Sequence, residues 1–332
     1  MMCTRFLAPI LFCTANIAAA QAPRVHATRD RLQLDGKLDE SAWQRADSID
    51  DFRQRDPSEG DAATERTVVR FLSTGDGLWI GIHAYDREPG RVLHAQLRRD
   101  TDFDTDDAVQ LMVSPLQDKR TGFLFAVNPN GAMADAEIVS FESENSDWDA
   151  VWDARAHLTS DGWVAEVFIP WQTLRYRASS TAWDVNLRRV IRRKNEDVLW
   201  RAWRRTEGIK FLERADVVEG FVDLPPRATA ELRPYTAATG NSLSRDYNAD
   251  GTFDKTANAG LKGTFGMDAK LAPSRELTLD LATNADFAQA DVDRQVINFT
   301  RFPLFLPERR PFFTEGASIF DFGRRQETQL FY

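Results

Sequence analysis

Short segments in which apolar and polar residues alternate fill most of the chain between residues 24 and 223. In the clearest of them the apolar side chains fall on a single face: Ile80, Ile82 and Ala84; Val109, Leu111 and Val113; Phe123, Phe125 and Val127; Trp163, Ala165, Val167 and Ile169. A period of two residues is typical of β-strands, and many short strands separated by turns favour two packed sheets. The pattern therefore predicts an all-β domain over residues 24–223, an antiparallel, jelly-roll-like β-sandwich.

Two short helical turns are predicted within this strand pattern. They lie at Glu40–Ala46 and at Trp171–Leu174. Asp39 precedes the first turn and is a suitable N-cap, because its carboxylate can accept a hydrogen bond from a free backbone N–H.

A second pattern begins after Leu224–Arg227, where two consecutive prolines interrupt any sheet ladder. Strict alternation runs from Ala259 to Leu271, with weaker alternation at Ala230–Ala238 and Leu277–Leu281. Long alternating strands are typical of an outer-membrane barrel, whose crossings take ~9–11 residues. A water-soluble sheet with two different faces is the alternative. Since a closed barrel needs at least ~8 strands, residues 228–332 are expected to form only the first strands of an incomplete barrel.

The first twenty residues have the three-part layout of a secretory signal peptide. Arg5 is followed by the apolar stretch Phe6–Cys13 and then by the small residues Ala18–Ala20, after which cleavage is expected. Both cysteines of the chain lie within this segment. The mature protein would therefore contain no cysteine, which excludes a disulfide scaffold, a thiol nucleophile and cysteine-ligated metals.

Net charge and motif content narrow the function classes. The formal net charge is -9, which argues against general nucleic-acid binding because phosphate neutralisation needs a basic surface. The four histidines show no metal-ligand spacing, and no nucleophile elbow or phosphate loop is present. No organic cofactor is expected. Glycoside hydrolysis stays open as an alternative, because acidic residues are abundant, although no carboxylate pair stands out among them.

Two acidic segments have a spacing that suits calcium. In the first, the carboxylates after Asp100 recur at every second residue and could converge on a hard cation: Asp102, Asp104 and Asp106, followed by Asp107. The second has oxygen ligands at relative positions 1, 3, 5 and 9 of a calcium loop: Asp246, Asn248, Asp250 and Asp254. Ala257 stands at its twelfth position, where a bidentate glutamate is usual. Solvated loops are the alternative for both segments.

All nine tryptophans precede residue 204. Two close pairs stand out: Trp148 with Trp152, and Trp200 with Trp203. Exposed aromatic rings can stack on the C–H face of a sugar ring while arginine and carboxylate groups bind its hydroxyls. Most tryptophans are expected in the core, Trp163 and Trp183 above all, so about two of the nine are assigned to a ligand. Trp148 and Trp152 are the first candidates, and Trp203 is a further one.

Several motifs carry a family resemblance. Those of the first region are Leu34–Trp43, Asp106–Leu111, Asn128–Gly131, Trp148–Trp152 and Gly162–Pro170. Together they resemble the family-nine carbohydrate-binding-module-like domain. Two later blocks, Asn284–Asp291 and Asn298–Gly316, resemble a Gram-negative outer-membrane barrel family of unknown function that commonly follows such a domain. Because that family continues with more strands beyond the position of Tyr332, we expect a truncated chain.

The resemblance implies a sandwich at the periplasmic side or cell surface that binds sugar ends between aromatic rings and carries structural calcium. Arg98, Arg99 and Asp100 are then the polar partners of Trp148 and Trp152. We expect a non-catalytic carbohydrate-binding module of a cell-envelope protein, exported across the inner membrane to the periplasm or outer membrane. A structural cap, plug or partner-docking role without a small ligand is the first alternative, and a glycan hydrolase is the second.

Overall fold

The computed structural model describes residues 22–140, 143–146, 148–225, 230–240, 261–271 and 279–283. The described strands, in chain order, are β1 (His26–Ala27), β2 (Ser48–Ile49), β3 (Arg53–Asp56), β4 (Thr67–Ser73), β5 (Gly77–Tyr85), β6 (Ala108–Ser114), β7 (Gly122–Val127), β8 (Met133–Ser140), β9 (Ser143–Asn145), β10 (Asp153–Thr159), β11 (Gly162–Pro170), β12 (Ala182–Ile191), β13 (Glu196–Leu199), β14 (Asp216–Glu219), β15 (Ala230–Gly240), β16 (Leu261–Leu271) and β17 (Leu279–Thr283). The helix α1 spans Ser41–Arg45, and short 3₁₀ turns lie at Pro89–Arg91, Trp171–Thr173, Arg192–Lys194 and Leu212–Arg214.

Two sheets make up the first region. Sheet I has the order β1-β4-β5-β11-β10, with β2 also paired to β4. Sheet II has the order β3-β13-β12-β6-β7-β8-β9, with β14 paired to β12. The paired strands are antiparallel except for the short β1–β4 pair. This arrangement follows from the alternating sequence, because each strand can bury one face and leave the other to solvent or to covering loops.

The two sheets pack face to face around one apolar core. Sheet I contributes Val69, Phe71, Ile80, Ile82, Ala165 and Val167; sheet II contributes Val109, Leu111, Val113, Phe125, Leu187 and Val198. Trp163 and Trp183 are fully buried, as expected of core tryptophans. The predicted all-β antiparallel sandwich is confirmed, and the strands predicted from alternation appear as β5, β6, β7 and β11.

The first helical turn differs in detail from its prediction. Helix α1 spans Ser41–Arg45, and its N-cap residue is Glu40, whose side chain makes no capping hydrogen bond. The assignment of Asp39 as N-cap was therefore wrong. Glu40 instead accepts a hydrogen bond from the Trp43 indole (Nε1 to Oε2, 3.1 Å) and one from the Gln33 backbone (N to Oε1, 3.1 Å). The helix is anchored by packing of Ala42 and Trp43 on sheet I.

Strands β15, β16 and β17 form a separate three-stranded antiparallel sheet. They correspond to the alternating segments that the sequence indicates after residue 227. Four large apolar side chains on one face of this sheet are exposed: Leu232, Phe265, Leu279 and Leu281. The barrel stays a prediction. The signal peptide, the second calcium segment at 246–254 and the blocks at 284–291 and 298–316 lie outside the described residues and also stay predictions.

In the part of the chain that the structure describes, no helix is long and apolar enough to cross a membrane.

Candidate ligand-binding face

Strand β12 presents different chemistry on its two faces. Val185 and Leu187 point into the core between the sheets. Since side chains alternate along a strand, Asn186 and Arg188 lie on the opposite, outer face of sheet II. The functional question is therefore what the outer face carries.

Four side chains form a continuous hydrogen-bonded set across this outer face, called here the polar row: Arg55, Asp197, Arg188 and Gln110. Arg188 donates to Asp197 through Nε and Nη2, both at 2.8 Å, and to Gln110 Oε1 through Nη1 at 2.9 Å. Arg55 Nη2 lies 2.7 Å from the same carboxylate. The row crosses β3, β13, β12 and β6, which are neighbours in the sheet. Asp197 is buried, whereas the Arg188 side chain is 23% exposed.

Two apolar clusters lie on either side of the polar row. Beyond Gln110, Phe103 packs on four alanines: Ala108, Ala126, Ala132 and Ala134. A second cluster combines strand residues, among them Met112, Leu124 and Leu199, with apolar residues of the loop after β13, and Trp203 and Phe211 pack against it half-buried. The strand register agrees, since Ala126 pairs with Gln110 and Leu199 pairs with Arg188.

The loop that carries Trp203 is held against strand β3. Arg205 forms an ion pair with Asp56 (Nε to Oδ1, 3.1 Å) and its backbone N donates to Glu59 Oε2 at 3.0 Å. Gly60 has φ +85°, and a Cβ at that position would lie 3.2 Å from the Trp203 ring. The backbone conformation therefore favours a glycine, and the close approach of the indole leaves little room for a side chain.

This arrangement can bind a ligand rich in hydroxyl groups. Guanidinium, carboxylate and amide groups are planar and offer donors and acceptors in fixed directions. Their mutual hydrogen bonds hold them in place before any ligand arrives. The half-buried indole of Trp203 on the same face adds an apolar surface.

The tryptophans first predicted to bind sugar lie elsewhere, at one end of the sandwich. Trp152 is only 5% exposed, because its ring packs edge-on against Phe125 and its Nε1 donates to Asp135 Oδ1 at 3.1 Å. It was expected to stack on a ligand, and the structure instead places it in the core. Trp148 is half-buried and packs against Phe123, with ring centroids 4.9 Å apart.

Arg99 joins this end of the sandwich through several bonds. Its Nη2 donates to Asp135 at 2.7 Å, to Asp149 at 2.8 Å and to the Ala150 carbonyl at 2.7 Å, and its Nε lies 3.4 Å from Asp100. Burial raises the pKa of Asp135 and of Asp100 above their ordinary values. Arg98 next to it is exposed.

The structure therefore brings most of the predicted ligand residues into one neighbourhood, but there Arg99 is already bonded to protein groups. Trp203 lies apart from them, on the outer face of sheet II.

The carboxylates predicted to converge on calcium have separate partners. Asp106 is buried and accepts from the backbone N–H groups of Ala95 (3.0 Å) and Gln96 (2.8 Å), which lowers its pKa despite its burial. Asp107 is buried and accepts from the Arg192 backbone at 2.9 Å. Asp104 pairs with the Arg192 side chain at 3.0 Å, and Asp102 caps the backbone of Asp104.

Among the described residues no group of three or more His, Cys, Asp or Glu side chains is placed to hold a metal ion. Alternation alone suggested convergence, but the chain turns at Asp104 and Thr105 rather than running extended. Calcium binding stays a prediction.

The polar row was not identified from the sequence. The available signal is the alternation in β12, where polar Asn186 separates the core residues Val185 and Leu187. That signal places Arg188 on the outer face, but Arg55, the second arginine bound to Asp197, lies on a strand far away in the sequence.

Comparisons with known proteins give three findings. The family described as "Domain of unknown function (DUF5916)" matches residues 229–332. A comparison with curated proteins finds no match. Among solved structures, a carbohydrate binding module family 9 from Caldicellulosiruptor kristjanssonii is similar in two complexes. The complex with glucose has 12% identity, covers 62% of this chain and 97% of that chain, and has a TM-score of 0.41. The complex with cellotriose has 12% identity, covers 62% and 100%, and has a TM-score of 0.42. Similarity at this level leaves function to be argued from the residues of this chain.

Proposed function

We propose that the outer face of sheet II captures carbohydrate without converting it. The observation that carries this proposal is the polar row, in which Arg188, Asp197 and Gln110 are fixed by their own hydrogen bonds on the same outer face that carries the half-buried indole of Trp203. Groups that are already ordered lose little conformational freedom when a ligand binds, so more of the interaction energy appears as affinity.

Binding would combine two kinds of contact. The face of the indole would stack on the C–H groups of a sugar ring, and the edges of the row would exchange hydrogen bonds with its hydroxyls. Arg188 is suited to this because it is partly exposed while Asp197 beneath it is buried and holds it. The mechanism is equilibrium capture, and no bond is made or broken.

The test is a titration with neutral and acidic mono- and oligosaccharides, with and without calcium, followed by tryptophan fluorescence. We expect at least one sugar to perturb the emission of the wild-type protein. Arg188→Ala and Gln110→Ala should each weaken its binding about tenfold, the cost of a lost charge-assisted or paired hydrogen bond. Arg155→Ala is the matched control, because Arg155 is exposed on sheet I and bonds to Asp153.

Two results would contradict the proposal. One is the absence of any response across the panel. The other is an equal loss of binding in Arg188→Ala and in the Arg155→Ala control.

We further propose that the second region attaches the protein to the outer membrane. The observation that favours this is the exposed apolar face of the β15–β17 sheet, where Leu232 is 62% and Phe265 63% exposed. Large apolar side chains in that number on one sheet face are unusual for a surface in contact with water. The signal-peptide pattern of residues 1–20 supports the same destination.

Fractionation of Gram-negative cells that express the full chain tests this attachment. We expect recovery in the outer-membrane fraction and release by detergent. Phe265→Asp should shift protein to the soluble periplasmic fraction, whereas Thr264→Asp, on the opposite face of the same strand, should not. Recovery of the wild-type protein in the soluble fraction would contradict the proposal.

A further inference from the structure

A second set of charged side chains lies between the two sheets, at one end of the sandwich. Asp86 directly follows β5 of sheet I, Asp107 directly precedes β6 of sheet II, and Arg189 lies on the inner face of β12. The side chains of Asp86 and Arg189 have no exposed surface, and Asp107 is 0% exposed. These residues take no part in the polar row.

Part of the hydrogen-bonding capacity of this set is used by the protein. Arg189 Nη1 donates to the Arg66 carbonyl at 3.0 Å and to Thr67 Oγ1 at 3.1 Å. Asp107 Oδ1 accepts from the Arg192 backbone at 2.9 Å. Asp86 Oδ1 accepts from Arg193. These bonds fix the positions of all three side chains.

The remaining atoms of the set face one another without a direct bond. Asp86 Oδ2, Asp107 Oδ2, and Nε and Nη2 of Arg189 are buried and make no hydrogen bond with the described part of the chain. Nη2 of Arg189 lies 4.0 Å from Asp86 Oδ2, which is too far for a hydrogen bond. Buried polar groups of native proteins nearly always have a partner, and the usual one at such a separation is an ordered water.

We infer that a buried water molecule binds between Arg189, Asp86 and Asp107 and joins sheet I to sheet II. A water molecule can accept two hydrogen bonds from Arg189 and donate one to each carboxylate, which uses most of the free donors and acceptors of the set. An anion would be repelled by Asp86 and Asp107, and a cation by Arg189 and Arg193. A neutral molecule of the size of water is therefore the ligand that this chemistry selects.

A high-resolution crystal structure of the full chain, grown with a bromide salt, tests this inference. We expect an electron-density peak ~2.6–3.2 Å from Asp86 Oδ2, Asp107 Oδ2 and Arg189 Nη2, without anomalous signal. Direct bonds from Arg189 to both carboxylates with no peak between them would overturn the inference. An anomalous peak would also overturn it, because the ligand would then be an anion.

Water–protein NOE measurements on the same chain in solution give a second readout. The Arg189 side chain should show a contact with a long-lived water. Arg188, its neighbour on the outer face, is the matched control and should exchange only with bulk solvent. The absence of a long-lived contact at Arg189 would contradict the inference.

Discussion

Arg188 and Arg189 are neighbours in the chain but belong to two different regions of the molecule. Arg189 points between the sheets, has no exposed surface and faces Asp86 and Asp107. Arg188 points outward, is 23% exposed and bonds in a row with Asp197 and Gln110. The difference teaches that, in a sandwich, the face of the strand decides whether a charged side chain supports the fold or is available to a ligand.

The largest effect on stability is expected from removing the buried side chain of Arg189. Arg189→Met would remove a buried cation from beside Asp86 and Asp107 and leave Asp86 with Arg193 alone, so we expect the free energy of unfolding to fall by about 3–5 kcal/mol. Arg188→Met should cost no more than about 1.5 kcal/mol, because its partner Asp197 keeps Arg55. Urea unfolding followed by tryptophan fluorescence measures both, since all nine tryptophans lie before residue 204. Equal losses in the two variants would contradict the comparison.

Glu166 extends the comparison of Arg188 with Arg189, because it lies on the outer face of sheet I and is nevertheless fully buried. The N-terminal segment covers it: Glu166 Oε2 accepts from the backbones of Asp35 (3.0 Å) and Gly36 (2.8 Å), and Oε1 from the Trp43 indole at 3.3 Å. Burial, together with the nearby carboxylates of Glu40 and Asp35, raises the pKa of Glu166 from 4.5 to about 7. A covering segment, and not the face alone, thus decides burial.

The second prediction is a pH dependence of stability caused by Glu166. Because its pKa is higher in the folded state, its contribution is fully present below pH 4.5 and is lost as the pH rises to about 7. The loss should approach roughly 3 kcal/mol over that window. Glu166→Gln cannot titrate, so the difference in unfolding free energy between wild type and variant should change with pH by that amount. A difference that stays constant from pH 4 to pH 8 would show that the pKa is not raised.

The sequence predicts the strands well and the site poorly, for physical reasons. Alternation with period two reports that one face is apolar, and β5 and β11 follow it directly. It does not report what covers the other face, so it could not distinguish Arg188 from Glu166. Likewise, the short spacing of Trp148 and Trp152 suggested a ligand site, but the burial of Trp152 depends on Phe125, which belongs to another strand.

The third prediction concerns geometry within the polar row. Arg188→Lys keeps the positive charge but cannot bond Asp197 through two nitrogens and Gln110 through a third. If the planar row binds the sugar, the affinity should fall about tenfold, which corresponds to ~1.4 kcal/mol, while the unfolding free energy changes by less than ~1 kcal/mol. Isothermal titration with the sugar that wild type binds best measures the affinity. Full retention of binding in Arg188→Lys would show that charge alone suffices.

The smallest effect on sugar affinity is expected from a substitution at Gly60, beneath Trp203. Gly60→Ala places a Cβ 3.2 Å from the indole and imposes φ +85° on a residue that disfavours it, which costs about 1–2 kcal/mol. The ring must move by a few tenths of an ångström, so sugar affinity should drop about two- to threefold. Gly36→Ala is the matched control, since Gly36 has φ +83° but lies in the N-terminal segment that covers sheet I. It should lose similar stability and keep its affinity. Equal affinity losses in the two variants would mean that Trp203 does not contact the sugar, and the outer-face site would then rest on Arg188 and Gln110 alone.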